Sequence, residues 1–385
     1  MQPNQPQTHS STHQVDWVAL IFIASYHVLL LITLPLYLLN TTPSGSLIGW
    51  TFFFTAASLI SITAGYHRLY AHRTYRVHRA VEMVLLFFGT LATQSSVFRW
   101  SFDHRLHHRF VDKEGDPYDA TKGFWHSHLL WMFKEGEPIE DRYISDLKED
   151  RILRLQHAHY GWFMAVTNII AVIILGLITG DWIGAFVIGF LARLFVVHHS
   201  TWFINSLCHM WGAKPYSTEH SAVNNFILAL LTYGEGYHNY HHTFAGDYRN
   251  GVRWYQFDPP KYLIWTLSKL GLAWDLKRTD PLMIKKRLVQ ADRELLIDHL
   301  NRVAHIDVTE LKETVVKLHE QLLASIASAK TVTDRFRALD KKVHVTEFQE
   351  MKQRFRELKS EISRDLKMWR RLCREVMKLQ PAPAL

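Results

Sequence analysis

The amino-acid sequence predicts an all-α integral membrane protein with four transmembrane helices and a helical C-terminal tail. Three observations support this fold class: four long apolar segments, their near freedom from charge, and a strongly basic last part of the chain. Of the 385 residues, 48% are hydrophobic and 21% are charged. The hydrocarbon core of a bilayer is about 30 Å thick, and a helix of roughly 20 apolar residues crosses it. The four apolar segments are therefore predicted spans.

The predicted spans form two hairpins. They cover residues 17–39, 47–64, 161–179 and 182–207. A short uncharged turn joins the first pair, Gly180 and Asp181 join the second, and Arg193 is the only charged residue inside a span. Residues 1–16 are polar and lack the basic and apolar regions of a signal peptide, so we expect the first span to be retained. The predicted membrane domain runs from residue 17 to residue 280.

The distribution of arginine predicts how the hairpins are oriented. The two hairpin turns contain no Lys or Arg, whereas the chain between the second and third spans contains Arg68, Arg73, Arg76, Arg79, Arg99, Arg105 and Arg109. By the positive-inside rule, both termini and the loop 65–160 are cytoplasmic. Residues 81–98 are apolar enough to suggest a fifth span, but a crossing there would put the flanking histidine motifs on opposite sides of the bilayer. We therefore expect a helix at the membrane surface.

The C-terminal segment 281–385 differs in composition from the membrane domain. It holds 22 of the 44 Lys and Arg residues but only 15 of the 36 acidic ones, and so carries almost all of the net charge of +8. Apolar residues recur there at intervals of three and four, which predicts two amphipathic helices. These residues are Leu311, Val315, Leu318 and Leu322, then Phe348, Met351, Phe355, Leu358 and Ile362. We expect a basic helical extension that is solvated or faces acidic lipid, with no nucleic-acid partner.

Histidine is the over-represented residue type. There are 24 histidines, and eight of them form three short motifs. The motifs are His67 with His72, then His104 with His107 and His108, then His238 with His241 and His242. Positions i, i+3 and i+4 share one face of a helix, so each H-x-x-H-H presents three imidazoles together. Residues five apart on a regular helix lie about 140° apart, so we expect the first pair at a helix end that re-aims the second ring.

This many clustered imidazoles predicts a di-metal site in a helical cap on the cytoplasmic side. Neutral imidazole is a good ligand for iron, zinc and copper, and eight imidazoles are too many for one ion. The two cysteines are too few for an iron–sulfur cluster. A carboxylate-rich di-metal site would repeat Glu-x-x-His, which does not recur near these motifs. A metal transporter or sensor would carry polar or acidic residues along its spans, and these spans have few.

Three longer segments resemble a known family. They are Gly65-Tyr-His-Arg-Leu-Tyr-Ala-His72, Asp103-His-Arg-Leu-His-His108 and Glu235-Gly-Tyr-His-Asn-Tyr-His-His242. They are similar to the three histidine boxes of the membrane fatty acyl desaturases, most of all to those of the acyl-CoA Δ9 (stearoyl-CoA) type. The resemblance implies two iron ions, with O2 as co-substrate. It implies the ligands His67, His72, His104, His107, His108, His209, His238, His241 and His242, with Asn205 reaching a metal through water.

The same resemblance implies the reaction and the path of the substrate. In the family, hydrogens are removed from adjacent methylenes of a saturated long-chain acyl thioester, which leaves a cis double bond. Gln94, Thr201 and Trp202 match positions at a narrow apolar tunnel that holds the acyl chain. A membrane fatty acid hydroxylase with the same di-iron core is the alternative function, because it differs only in the fate of the substrate radical.

Carboxylates close to the boxes are candidates for orienting the imidazoles. Asp103 and Glu235 each precede a box, so we expect them to accept hydrogen bonds from ring N–H groups. Asp116 lies in a turn after the second box, and we interpret it as structural.

Departures from the family pattern bear on the acyl carrier. Phe102 stands where the acyl-CoA enzymes commonly have arginine. Glu135 and Glu137 lie in a stretch that binds the headgroup in those enzymes, although Lys122 and Lys134 remain. Acyl-CoA is the expected carrier, with acyl carrier protein or a lipid-bound acyl chain as alternatives.

The source of electrons is expected to be a separate protein. The sequence contains no His-Pro-Gly-Gly haem motif and no iron–sulfur ligand set. A reductase, a ferredoxin or a cytochrome is therefore the expected donor. The lack of a fused donor and of an endoplasmic-reticulum retrieval tail favours a bacterial inner membrane.

Overall fold

The computed structural model describes residues 14–304, 306–338 and 345–380. The described chain forms two compact units. The first, the membrane unit, comprises the residues up to Gly212 together with Ser221–Lys277, and the second comprises Ala213–His220 and the residues from Arg278 onwards. Most of the polar segment predicted at the N-terminus, residues 1–13, lies outside the described residues.

Four helices of the membrane unit are long and apolar enough to cross a bilayer, which confirms the predicted number of spans. They are Trp17–Asn40, Gly45–Ala71, Tyr160–Thr179 and Trp182–His209. Side-chain caps fix their starts: Asp16 accepts from the Ala19 amide at 2.9 Å, and Asp181 accepts from the Gly184 amide at 2.7 Å. The left-handed Gly180 (φ 71°) ends the third span. Apolar side chains on the first span remain exposed, as contact with lipid requires.

The second span is longer than predicted, and its last part is wound differently. Residues Gly45–Ile60 are α-helical, but Ser61–Ala71 form a π-helix. In this winding an amide bonds to the carbonyl five residues earlier, and the His72 amide donates to the His67 carbonyl at 3.0 Å. Residues five apart therefore lie on the same face. The pair lies at a helix end, as predicted, since His72 directly follows Ala71. A regular helix would separate the two rings by about 140°, and the π-helical winding is what brings them together.

The segment 81–98 is not one of the four candidate spans. It contains the helix Arg79–Leu91, a turn at residues 92–96, and the start of the helix Val97–Phe110. The remaining α-helices of the membrane unit are Phe124–His128, Asp141–Lys148, Arg151–Ala158, Phe226–Leu231, His238–Thr243 and Pro259–Lys269. Short 3₁₀-helices lie at Ala120–Lys122, Leu130–Phe133 and Leu207–His209. Two-residue strands, Arg76–Val77 and Ala273–Trp274, pair antiparallel.

The described residues of the second unit form three helices, where the sequence predicted two. They are Pro281–Asn301, Thr309–Ala338 and Val345–Val376. The predicted apolar positions Val315, Leu322, Leu358 and Ile362 are all buried. Trp369 is also buried, and its Nε1 donates to Asp292 Oδ2 at 2.9 Å. The additional helix, Pro281–Asn301, precedes the two apolar repeats from which the sequence predicted helices.

Candidate metal centre

Four elements of the membrane unit carry the nine predicted histidine ligands. The end of the second span carries His67, and His72 follows it directly. The helix Val97–Phe110 carries the second motif, Leu207–His209 ends in His209, and the helix His238–Thr243 carries the third motif. Each H-x-x-H-H is helical, as its spacing predicts, so its three rings project from one face.

Five imidazoles converge in one group, the five-histidine cluster. Its members are His67, His72, His104, His108 and His241, and their ligand nitrogens lie within 4.8 Å of one another. The Nε2 atom of His241 is 3.0 Å from that of His67 and 2.8 Å from that of His108. The Nε2 atoms of His72 and His104 are 2.8 Å apart.

Four further imidazoles form the four-histidine cluster. Its members are His107, His209, His238 and His242, whose ligand nitrogens also lie within 4.8 Å of one another. The Nε2 atom of His242 is 3.2 Å from that of His107 and 3.1 Å from that of His238. The second and third motifs are thus divided between the clusters, and the rings of His108 and His242 stack across the division with centroids 4.2 Å apart.

The spacing of these nitrogens fits a metal ion at the centre of each cluster. Nitrogens about 2.1 Å from an ion and at right angles around it are ~3.0 Å apart, close to the 2.8–3.2 Å observed. Burial, reinforced by neighbouring imidazoles, lowers the pKa of His104, His108 and His241 well below the ordinary value. These rings are therefore neutral at neutral pH, and neutral imidazole is the form that binds metal.

His67 is supported by a buried network of charges. Its Nδ1 lies 3.3 Å from Glu235 Oε2, which also accepts from Asn250 Nδ2 at 2.5 Å. The Arg68 guanidinium bridges Glu235 at 3.0 Å and Asp258 at 2.9 Å. Burial alone would raise the pKa of Glu235, but His67 and Arg68 lower it to about 2. The carboxylate is therefore ionised and directs the proton of His67 to Nδ1, which leaves Nε2 free to face the cluster.

Asp116, interpreted as structural from the sequence, contacts a cluster histidine. Its Oδ1 lies 2.8 Å from Nδ1 of the buried His107. Nearby, the Tyr118 hydroxyl lies 3.2 Å from His104 Nδ1. The turn folds back because the amides of Asp112 and Tyr118 both donate to the Asp116 carboxylate, at 3.1 and 3.2 Å. The Asp-Pro-Tyr turn after the second motif was the signal that could have identified this contact.

The expectation that Asp103 accepts from an imidazole is corrected by the structure. Its carboxylate pairs with Arg99, one helical turn earlier, with Arg99 Nε 2.9 Å from Asp103 Oδ2. A guanidinium at that spacing is a stronger partner than a neutral ring N–H. The acid that contacts the second motif is therefore Asp116.

His209 is held by a relay that the sequence did not indicate. Its Nδ1 lies 2.6 Å from Ser221 Oγ, and that hydroxyl donates to Asp112 Oδ1 at 2.5 Å. The Ser221 amide also donates to Asp112, at 2.5 Å. Ser221 and Asp112 lie far apart in the chain and outside any motif, so only the tertiary fold brings them to His209.

The remaining predicted residues lie on the fourth span and the turn before the helix Val97–Phe110. Asn205 is half-buried at the end of the α-helical part of the span, four residues before His209. Gln94 Nε2 donates to Thr201 Oγ1 at 2.8 Å, and Trp202 is buried beside them. The structure thus brings Gln94 and Thr201 into contact, and the role of Asn205 stays a prediction.

Comparison with known proteins agrees with this site. The family model described as fatty acid desaturase matches residues 44–274, which include all nine cluster histidines. Acyl-CoA desaturase 1 of Saccharomyces cerevisiae is 36% identical over 75% of this chain and 57% of its own length. The probable acyl-CoA desaturase of Schizosaccharomyces pombe is 39% identical over 76% and 62%, respectively. The chain thus spans less than two thirds of these two fungal relatives.

A third relative is covered more fully. The sn-1 stearoyl-lipid 9-desaturase of Synechocystis is 38% identical over 68% of this chain and 80% of its own length. The match of the family model extends over more than half of the chain. The chain therefore belongs to the fatty acid desaturase family.

Proposed function

We propose that this protein is an O2-dependent fatty acyl desaturase that inserts a cis double bond, at Δ9, into a saturated long-chain acyl thioester. Two hydrogens leave adjacent methylenes, and O2 is reduced to two molecules of water by these hydrogens together with two electrons and two protons supplied from outside. The observation that carries the proposal is the pair of adjacent all-imidazole clusters in a membrane unit. All three similar proteins described above are named desaturases.

The metals proposed for the clusters are two iron ions. The donor set suits iron, zinc and copper, but zinc has no redox chemistry, and desaturation is an oxidation. When bound, the iron pair would supply O2 activation and the removal of hydrogen from the substrate. Five imidazoles would hold one ion, and four imidazoles would hold the other, with Asn205 acting on that ion through water.

The residues around the clusters have separable tasks in this proposal. Glu235 and Asp116 keep the protons of His67 and His107 on Nδ1. Each Nε2 therefore keeps a lone pair that can bind a metal ion. Gln94, Thr201 and Trp202 are assigned to the wall of the acyl tunnel. Carbon–hydrogen bonds offer no group to recognise, so the position of the double bond depends on how the tunnel holds the chain.

Acyl-CoA is the proposed carrier, in line with the names of the two fungal relatives. A lipid-bound acyl chain is the alternative, because the Synechocystis relative is named a stearoyl-lipid desaturase, and acyl carrier protein is another. Lys122 and Lys134 are exposed, and the Lys122 ammonium also lies 3.5 Å from the Asp119 carboxylate. Phe102 is completely buried in the hydrophobic core and so takes no part in headgroup binding.

The proposed reaction also requires an orientation of the chain in the membrane and a source of electrons. The positive-inside rule places both termini and the histidine clusters on the cytoplasmic side. Electrons are proposed to come from an external reductase, ferredoxin or cytochrome. The relatives come from fungi and from a cyanobacterium, so a bacterial inner membrane stays a prediction.

Mass spectrometry of products tests this function. Membranes containing the full chain and an electron-donating system would receive stearoyl-CoA that is deuterated at C9 and C10. Parallel reactions would receive the same deuterated chain on a phospholipid or on acyl carrier protein. We expect a monounsaturated product that has lost two deuterium atoms, formed fastest from the CoA ester. A hydroxylated product would favour the hydroxylase instead. No change in the substrate, despite two bound irons per chain, would overturn the proposal.

A further inference from the structure

The turn of residues 92–96, which links two helices of the membrane unit, has an unusual backbone. Thr93 and Ser95 adopt positive φ angles of 58° and 75°. This left-handed conformation is costly for residues other than glycine, above all for β-branched ones such as threonine. Gln94 lies between them and donates to Thr201 Oγ1 at 2.8 Å. The strained turn thus presents a residue assigned to the acyl tunnel.

Arg193 holds this turn from the fourth span. Its side chain is 1% exposed. Its Nη1 donates to the Leu91 carbonyl at 3.0 Å, and its Nη2 donates to the Asn168 side-chain oxygen. Asn168 in turn donates to Thr93 Oγ1 at 3.1 Å, while Arg193 Nε bonds to the Gly189 carbonyl at 2.9 Å. One guanidinium is therefore tied to the last residue of the helix before the turn and, through the Asn168 amide, to Thr93 in the turn itself.

The environment of Arg193 contains no compensating acid. Among the described residues, every acceptor that the structure gives its guanidinium is neutral: two carbonyls and one amide oxygen. Burying a cation inside a span without an acidic partner is costly, and such residues generally mark functional positions. An apolar side chain of similar size would fill the same volume without that cost. What the guanidinium adds is a fixed set of donors.

His198 holds the turn at a second point. Its Nε2 lies 3.1 Å from the Ala92 carbonyl and 3.0 Å from the Thr93 carbonyl. Carbonyls only accept hydrogen bonds, so Nε2 carries the proton and Nδ1 accepts from the Tyr26 hydroxyl at 2.9 Å. The ring also stacks on Trp202, with centroids 5.2 Å apart and planes at 29°. His198 therefore contacts both the turn and a second tunnel residue.

We propose that Arg193 and His198 are positioning residues that fix where the acyl chain bends, and so determine which carbon–carbon bond is desaturated. This inference rests on the proposed desaturase function and deepens it. Neither side chain needs to touch the reacting carbons, because Arg193 acts through the turn that carries Gln94, and His198 acts through the same turn and through Trp202. Together they hold Gln94 and Trp202 in place. A displaced turn shifts the acyl chain by one methylene and moves the double bond with it.

His198→Gln and His198→Leu form a matched pair for testing this role. Glutamine keeps an N–H donor, whereas leucine keeps bulk and removes the donor. Products made by the full chain in membranes would be converted to dimethyl disulfide adducts, whose mass spectra locate the double bond. In His198→Leu we expect the ratio of the wild-type position to its neighbours to fall about tenfold, which is the scale of discrimination over one methylene. The ratio should partly recover in His198→Gln, and Arg193→Met should lower it as well.

Val196→Ala is the control, because Val196 lies on the exposed side of the same helix at 47% exposure; its product ratio should equal that of the wild type. If Arg193→Met does not accumulate, Asn168→Ala takes its place, since Asn168 links the guanidinium to Thr93. Less total product at an unchanged ratio in His198→Leu would overturn the inference, because it would show a structural role alone. A wild-type chain that forms no double bond would overturn the proposed function itself.

Discussion

The two histidine clusters are supported in different ways. In the five-histidine cluster, His67 rests on Glu235, which belongs to a buried network with Arg68 and Asp258. The Asp258 carboxylate is itself fixed by the amides of residues 250 and 251, both at 2.9 Å. This cluster therefore has more rings and a support that involves several buried charges.

The four-histidine cluster has fewer rings, and the supports described for it come from different residue types. His107 contacts the Asp116 carboxylate, and His209 contacts the Ser221 hydroxyl. Asp116 and Ser221 lie in loops, as do Glu235 and Asp258. Because four imidazoles rather than five would hold the ion, each contact should contribute more to metal binding in the four-histidine cluster than in the five-histidine cluster.

Removing a proposed ligand is expected to have the largest effect. His108→Ala takes one nitrogen from the five-histidine cluster. Loss of a residue that only hydrogen-bonds to a metal ligand lowers metal affinity by up to roughly a hundredfold. We expect loss of the ligand itself to lower iron binding and desaturation by more than that. Elemental analysis of the purified chain and product mass spectrometry would measure the two quantities. The control His159→Ala removes an exposed histidine outside both clusters, and wild-type iron content in His108→Ala would contradict the ligand assignment.

Loss of Asp116 should have the next largest effect. Asp116→Ala leaves the His107 ring without its buried acceptor, and we expect iron affinity to fall by about a hundredfold, the upper end for such partners. The affinity would be measured by competition with an iron chelator. Glu114→Gln, an exposed acid in the same turn, should change nothing. Loss of both irons in equal measure would argue against the division into two clusters.

Glu235→Gln should lower iron affinity less than Asp116→Ala does. Four other imidazoles still hold the ion, and the glutamine side chain still accepts a hydrogen bond. We expect iron affinity in the five-histidine cluster to fall about tenfold, the lower end of the same range. Glu149→Gln, an exposed acid on the membrane unit, is the matched control. A larger loss than in Asp116→Ala would reverse the proposed ranking of the two supports.

Local patterns in the sequence predicted the spans and the histidine motifs. Apolar runs of sufficient length predict spans wherever they occur, and the H-x-x-H-H spacing predicts three rings on one face without knowledge of the fold. The two H-x-x-H-H motifs are each divided between the clusters, and this division appears only once both motif helices are placed in the fold. His107 and His108 are neighbours in sequence, yet they face different clusters because consecutive helical residues point in different directions.

The π-helix and the supporting residues depend on tertiary contacts. The winding of Ser61–Ala71 places His67 and His72 together, and no rule of spacing on a regular helix anticipates it. Asp103 is next to His104 in sequence but pairs with Arg99, whereas Asp116 reaches His107 through the folding of a turn. Proximity in sequence was a poor guide to these acids, because Arg99, one helical turn away, pairs with the Asp103 carboxylate.

Ser221→Ala is expected to have the smallest of these effects. It removes one neutral hydroxyl between His209 and Asp112, and a hydrogen bond of this kind contributes about 1 kcal/mol, or roughly a fivefold change in iron affinity. The exposed Ser145→Ala is the control, and chelator competition again supplies the measurement. Because His209 then keeps its ring but loses its orientation, the loss should be confined to one of the two irons. An effect as large as that of Asp116→Ala would mean that the relay to Asp112, rather than the carboxylate at His107, is the main support of the four-histidine cluster.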